Sequence, residues 1–255
     1  MKKICALILI VLLTACSSAP KATVGEGSAG SSGSTGLNAQ PTVQSSAGKC
    51  DIKYSNDPGW KVIFCDKLDD NSKGWDLKPF DNKYLIGESA IANGVYTETI
   101  TGKASSNFLN AGIHTIPLGK ATNFYVGITG KINSKFKKSN WGIGFLADDV
   151  RDSFLEFALF KDSYSLYRHN KDAYIVDKVL ETKVTDKIKI NQMNSIELKR
   201  EGDYIEYFVN GLSLGRYNLT LNEINYPGNN LYLFMMVDEG AKATFDIDNI
   251  LVESQ

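Results

Sequence analysis

The stretch 194–217 constrains the fold more than any other. Ile196 and Leu198 alternate with Glu197 and Lys199, the period of two expected of a half-buried strand. Arg200-Glu201-Gly202-Asp203 then reverses the chain, with Gly202 free to take positive φ. Tyr204 to Val209 is a β-branched and aromatic run, Asn210-Gly211 is a strong hairpin signal, and Leu212 and Leu214 resume the alternation. Local chemistry alone therefore specifies an antiparallel three-strand meander. It sets an all-β class without naming a ligand.

Elsewhere the pattern repeats. Val62, Phe64 and Leu68 read as a first strand, and Asn93-Gly94 turns between strands near 84–86 and 95–100. Strands follow at 108–117 and 124–132; in the latter Phe124, Val126 and Ile128 share one face, Tyr125, Gly127 and Thr129 the other. Trp141, Ile143 and Phe145 alternate with Gly142 and Gly144, and Leu155, Phe157 and Leu159 with Phe154, Glu156 and Ala158. Lys161-Asp162-Ser163 turns into Tyr164–Tyr167, 222–230 is a loop or short helix, and strands at 231–237 and 244–252 close the domain. No long 3.6-residue period occurs. Many short strands with turns between them argue for a sandwich or barrel.

The first residues belong to targeting rather than to the fold. Lys2-Lys3 form a positive n-region and 4–13 an apolar stretch, short of the about 20 residues a spanning helix needs. Leu13-Thr14-Ala15-Cys16 resembles the lipobox of bacterial lipoproteins, which implies a signal peptide over 1–15, cleavage before Cys16, and acylation of its thiol and new amino group. At about 0.8 kcal/mol per buried methylene, two or three acyl chains make a lasting partner for a lipid bilayer. Ser17 in place of an inner-membrane Asp signal implies the outer membrane in a diderm host, and the cell membrane otherwise. Residues 16–49, with the lipidated Cys and then Ser, Gly, Ala and Thr, read as a flexible tether of roughly 30 Å reach.

That leaves 50–255 as the folded domain. Loss of Lys2 and Lys3 leaves 26 basic against 29 acidic side chains, net −3, with no basic tract; nucleic acid is not an expected partner. Cys50 and Cys65 remain after Cys5 leaves and Cys16 is lipidated, and an even pair in an exported chain favours a disulfide; thiols for a metal lack nearby ligands.

Several segments together resemble a family: Phe64-Cys-Asp66…Gly74-Trp75, Gly142-Ile-Gly144-Phe145…Phe154-x-x-Phe157, Tyr164-Ser-Leu-Tyr167-Arg168, the Asn210-Gly211 hairpin, and Phe245-Asp-Ile-Asp248-Asn249-Ile250. They look like the concanavalin A-like lectin/glucanase jelly rolls, in particular the laminin-G-like and 3-keto-disaccharide-hydrolase-like branch. The resemblance implies an antiparallel jelly-roll β-sandwich with a concave face for sugars, and allows a structural calcium between Asp66 and Asp248. Trp75, Trp141 and Tyr167 are the stacking candidates, with Arg168, Glu156 and Phe234 completing the ligand-binding set. A loop over that face would instead make its rings a second layer of core.

The expected function is non-catalytic binding of carbohydrate or another surface ligand. The alternatives are a glycan hydrolase and a structural or adhesive protein with a protein partner. Hydrolysis requires two carboxylates roughly 5 to 9 Å apart. Glu201-Gly-Asp203-Tyr-Ile-Glu206 has the glucanase spacing Glu-x-Asp-x-x-Glu but lies across a hairpin turn; Glu156 is the better lone carboxylate, with Asp148 and Asp149 its nearest partners. Gly142-Ile-Gly144-Phe-Leu-Ala147 fits a loose dinucleotide fingerprint without the helix that would hold pyrophosphate, so no nucleotide cofactor is expected. His114 and His169 have no third ligand at metal spacing.

Overall fold

The computed structural model describes residues 50, 53–103, 109–135, 138–147, 153–170, 175–226 and 228–255; the lipobox, the tether, Asp148 and Asp149 lie outside the described residues. The first strands are β1 (Lys61–Asp66), β2 (Phe80–Asp81), β3 (Leu85–Ala92), β4 (Val95–Gly102), β5 (Leu109–Pro117), β6 (Phe124–Ser134), β7 (Asn140–Ala147) and β8 (Phe154–Leu159). There follow β9 (Ser163–Asn170), β10 (Ile175–Val184), β11 (Asn194–Glu201), β12 (Tyr204–Val209) and β13 (Leu212–Asn218). A short helix α1 (Leu221–Ile224) precedes β14 (Asn230–Val237) and β15 (Lys242–Ser254).

Nine strands form one sheet in the order β13-β12-β11-β6-β15-β4-β3-β2, with β1 also paired to β15; six form the other, β10-β9-β8-β7-β14-β5. Every ladder among them is antiparallel. The fold is an antiparallel jelly-roll β-sandwich. The central meander is built as its turns demand: Gly202 sits at φ 56°, and Asn210 and Gly211 at 52° and 75°. Two consecutive positive φ values give a hairpin turn whose twist matches its strands. Asn93-Gly94 makes the same turn between β3 and β4, at 54° and 76°.

The core lies between the sheets. Phe124, Val126 and Ile128 of β6, Ile196 and Leu198 of β11, and Ile250 and Val252 of β15 meet Ile143 and Phe145 of β7, Leu155 and Phe157 of β8, and Leu231, Leu233 and Met235 of β14. Full burial of one such side chain contributes about 1.5–3 kcal/mol. Two strands were not apparent in the sequence. The β10 ladder slips register twice along β9, which breaks the period of two, and β2 is only two residues long.

Candidate functional site

The outer face of the six-stranded sheet is set by register. Counting outward from the β8–β9 turn pairs Glu156 with Tyr167 and Phe154 with His169; Glu156 also faces Gly144, which faces Tyr232. Tyr167, Glu156, Gly144 and Tyr232 thus form one row across four strands. Because adjacent side chains on a strand alternate in direction, this row points away from the core. A second apolar cluster lies there, with Phe154, Ala158, Tyr232, Phe234 and Met236 buried and Tyr167 packed at its margin.

The two glycines of β7 make room for it. A Cβ on Gly144 would meet the Tyr232 ring at 1.8 Å, and one on Gly142 the Phe157 carbonyl oxygen at 1.9 Å and the Phe234 ring at 3.0 Å. The Gly142–Ala147 segment is therefore a strand whose glycines let rings pack close, not a phosphate loop. Phe154 stacks on His169 at 4.0 Å between centroids and meets Tyr232 edge-on at 5.2 Å. The centre of the expected hollow is thus filled by the chain's own rings. Phe234, assigned to ligand, is fully buried.

Glu156 lies beneath this layer with 1% of its surface exposed. His169 Nε2 is 3.1 Å from Glu156 Oε2, though not along a hydrogen-bonding direction, and neither carboxylate oxygen accepts a hydrogen bond. Glu156 and His169 are thus close neighbours whose polar atoms are left open at the margin of the ring layer. Tyr167 and His169 are half-buried and reach solvent. Glu156 places a carboxylate on the outward side of β8, between Tyr167 of β9 and Gly144 of β7.

Three other expected ligand residues face inward. Trp75 is in the core, stacked on His114 at 4.5 Å, and its Nε1–H donates to Asp66 Oδ2 at 2.7 Å. Trp141 is in the core against Phe245 at 5.0 Å. Neither ring has a free face. Arg168 points between the sheets, where its Nε donates to Glu223 Oε1 at 2.7 Å and Nη2 to the Tyr217 hydroxyl at 3.0 Å. Burial alone would lower this guanidinium's pKa, but the bonds to Glu223 and Tyr217 outweigh it and raise it. Glu223 is itself fully buried and closes a capping box with Thr220 at α1. The Thr-x-x-Glu spacing was a legible signal for that box; the pairing with Arg168, 55 residues away, was not.

The calcium expectation also meets a competing use. Asp66 accepts from the Leu68 amide and the Trp75 indole through its two oxygens, while Asp248 is exposed at a bulge in β15. Among the described residues no three His, Cys, Asp or Glu side chains converge to hold a metal. Glu201 and Glu206 fall on β11 and β12 with Asp203 in the turn, so the glucanase-like spacing is split between strands. Glu201 instead bonds to Lys199 and the Tyr204 hydroxyl, which lower its pKa.

Cys50 and Cys65 are joined in a disulfide, their Cα atoms 6.0 Å apart. It ties the segment before β1 to the outer face of the nine-stranded sheet. There the buried Glu253 carboxylate accepts the amides of Lys53, Tyr54 and Ser55 at 2.7–3.1 Å and the Ser55 hydroxyl at 2.6 Å. Lys53 pairs with Glu197, which also accepts from the Tyr125 hydroxyl at 3.1 Å. Burial, and then the Glu197 charge, push the Tyr125 phenol well above its ordinary pKa.

No protein-family model and no curated protein matches this sequence. Solved structures match in fold. The catalytic domain of an endo-1,3-beta-glucanase (laminarinase) from Thermotoga petrophila RKU-1 is 10% identical over 77% of this chain and 98% of its own, with a TM-score of 0.51. The laminarinase from Flavobacterium sp. UMI-01 is 13% identical over 76% of this chain and 100% of its own, with a TM-score of 0.54. The CBM2 module of the Lactobacillus casei BL23 phage J-1 evolved Dit is 10% identical over 76% and 96%, with a TM-score of 0.51. Such likeness concerns architecture: the domain shares the antiparallel jelly-roll β-sandwich fold of these structures. Chemistry must be argued from its own side chains.

Proposed function

We propose that the protein is an acylated envelope lipoprotein whose sandwich binds carbohydrate without hydrolysing it, at the β8–β9 side of the six-stranded sheet. One observation carries the reading: the half-buried Tyr167 and His169 stand over a buried Glu156 that has no hydrogen bond of its own. Sugar recognition pairs an apolar ring face with a few polar groups that fix hydroxyls, and this margin offers both. Jelly rolls of this architecture include a laminarinase catalytic domain and a CBM2 module. Hydrolysis would take a second carboxylate roughly 5 to 9 Å from Glu156, so the binding role is the simpler use of this side chain. Acylation at Cys16 would hold the domain at a membrane, the outer one in a diderm host.

The test is calorimetric titration of the full chain in detergent with a panel of glycans, with product analysis in parallel. Binding that falls about tenfold in Tyr167→Ala, with no product formed, is the expected result. Turnover abolished by Glu156→Gln would overturn the non-catalytic reading, and absence of heat from every glycan would replace sugar by a protein partner. For the anchor, Cys16→Ser should leave an unlipidated precursor outside the membrane fraction. An unchanged fraction refutes acylation.

A further inference from the structure

The opposite face of the sandwich carries a groove of about 510 Å³. It arises from a break in the nine-stranded sheet. Along one edge, β15 pairs with β4 as far as Ile247 and with β1 from Ile250 onward, so Asp248 and Asn249 have no ladder partner on that side. A register shift at the same point, against β6, turns these two residues outward. The Asn93-Gly94 turn and the Lys67–Asp69 segment form one wall; Thr129 of β6, Ser195 and Glu197 of β11, and Cys50 stand around a floor that includes Tyr125, Ile128 and Leu251.

The lining selects a ligand class by elimination. Among the described residues, Asn93, Thr129, Asp248 and Asn249 make no side-chain hydrogen bond, so their donors and acceptors face the groove. Charges of both signs are present, Lys67 against Asp69 and Asp248, while Glu197 is already answered by Lys53 and the Tyr125 hydroxyl. An anion such as a nucleotide would be repelled by the carboxylates, and the described acids do not converge on a metal position. An apolar ligand would find little to cover, because the apolar lining residues Tyr125, Ile128 and Leu251 are themselves buried. What remains is an uncharged molecule rich in hydroxyl groups. The volume lies within the range of small-ligand pockets.

We propose that this groove is a second saccharide site, holding one or two neutral sugar units by hydrogen bonds to Asn93, Thr129, Asp248 and Asn249 rather than by ring stacking. It lies across the sandwich from Tyr167, so the two sites are independent and a polysaccharide could be held at both faces.

Hydrogen exchange on the full chain, with and without neutral β-1,3-, β-1,4- and α-1,4-glucan tetrasaccharides, tests it. At least one sugar should slow exchange at the Asn93-Gly94 turn and at 248–249, and Asp248→Asn with Asn249→Ala should weaken that sugar about tenfold at this site. Both residues are exposed, and an unchanged thermal midpoint verifies the fold of the variant. Tyr167→Ala should leave the protection intact. If the double variant alters nothing, or if these amides respond to calcium chloride or a trilysine peptide and to no neutral sugar, the groove is not a saccharide site. Loss of binding in Tyr167→Ala alone would overturn the groove and keep the β8–β9 site; loss in the double variant alone would do the reverse.

Discussion

Glu98 should make the domain less stable as the pH rises from about 4.5 to 7. This side chain faces inward from β4 with 4% of its surface exposed, and its Oε2 accepts from the Tyr96 hydroxyl at 2.9 Å. Burial raises its pKa from 4.5 to about 7, with the Tyr96 bond pulling weakly the other way. The folded state therefore holds a proton that the unfolded chain has already released, and by linkage stability falls across that window. At 1.36 kcal/mol per pH unit, the shift to about 7 corresponds to about 3 kcal/mol. Glu98→Gln keeps a carbonyl acceptor for Tyr96 and cannot ionise. Urea unfolding with the disulfide intact should give matching midpoints for the two proteins near pH 4.5. By pH 8 the variant should be more stable by as much as about 3 kcal/mol, or about 6–12 °C in Tm for a domain of this size. His114 contributes a slope of opposite sign: burial lowers its pKa, so stability is gained as the pH rises toward 6.5, and this cancels in the comparison. An equal difference between the proteins at both pH values would refute the argument.

Three further outcomes can be checked by the same unfolding measurement. Gly144→Ala drives a methyl group into the Tyr232 ring, 1.8 Å away, and should cost about 1–3 kcal/mol. Cys50→Ser with Cys65→Ser opens a loop of separation 15 and should cost about 3 kcal/mol, with reduction of the parent protein having the same effect. Glu253→Gln weakens the charge-assisted bonds to the amides of Lys53, Tyr54 and Ser55; a loss of about 2 kcal/mol, with faster amide exchange at 53–55, is expected.

Much of this architecture is readable from neighbours along the chain. The β11–β13 meander follows from alternation and from Gly202, Asn210 and Gly211, because positive φ and a period of two are properties of a few consecutive residues. Cys50 and Cys65 could be paired by elimination. What local pattern could not decide is which apolar face of a doubly apolar strand meets the core. In β8 both faces are buried, Leu155 and Phe157 between the sheets and Phe154 and Ala158 outside them, so composition alone could not tell ring from ligand platform. Trp75, in the loop before β2, and Trp141, on β7, both pack into the core, where their partners His114 and Phe245 come from distant segments. Contacts joining distant segments, Arg168 with Glu223, Glu253 with the amides of 53–55, and the break in pairing at Asp248–Asn249, arise only when the two sheets close. Alternation along a strand records that a side chain has a side. Only the packed sandwich determines what lies on it.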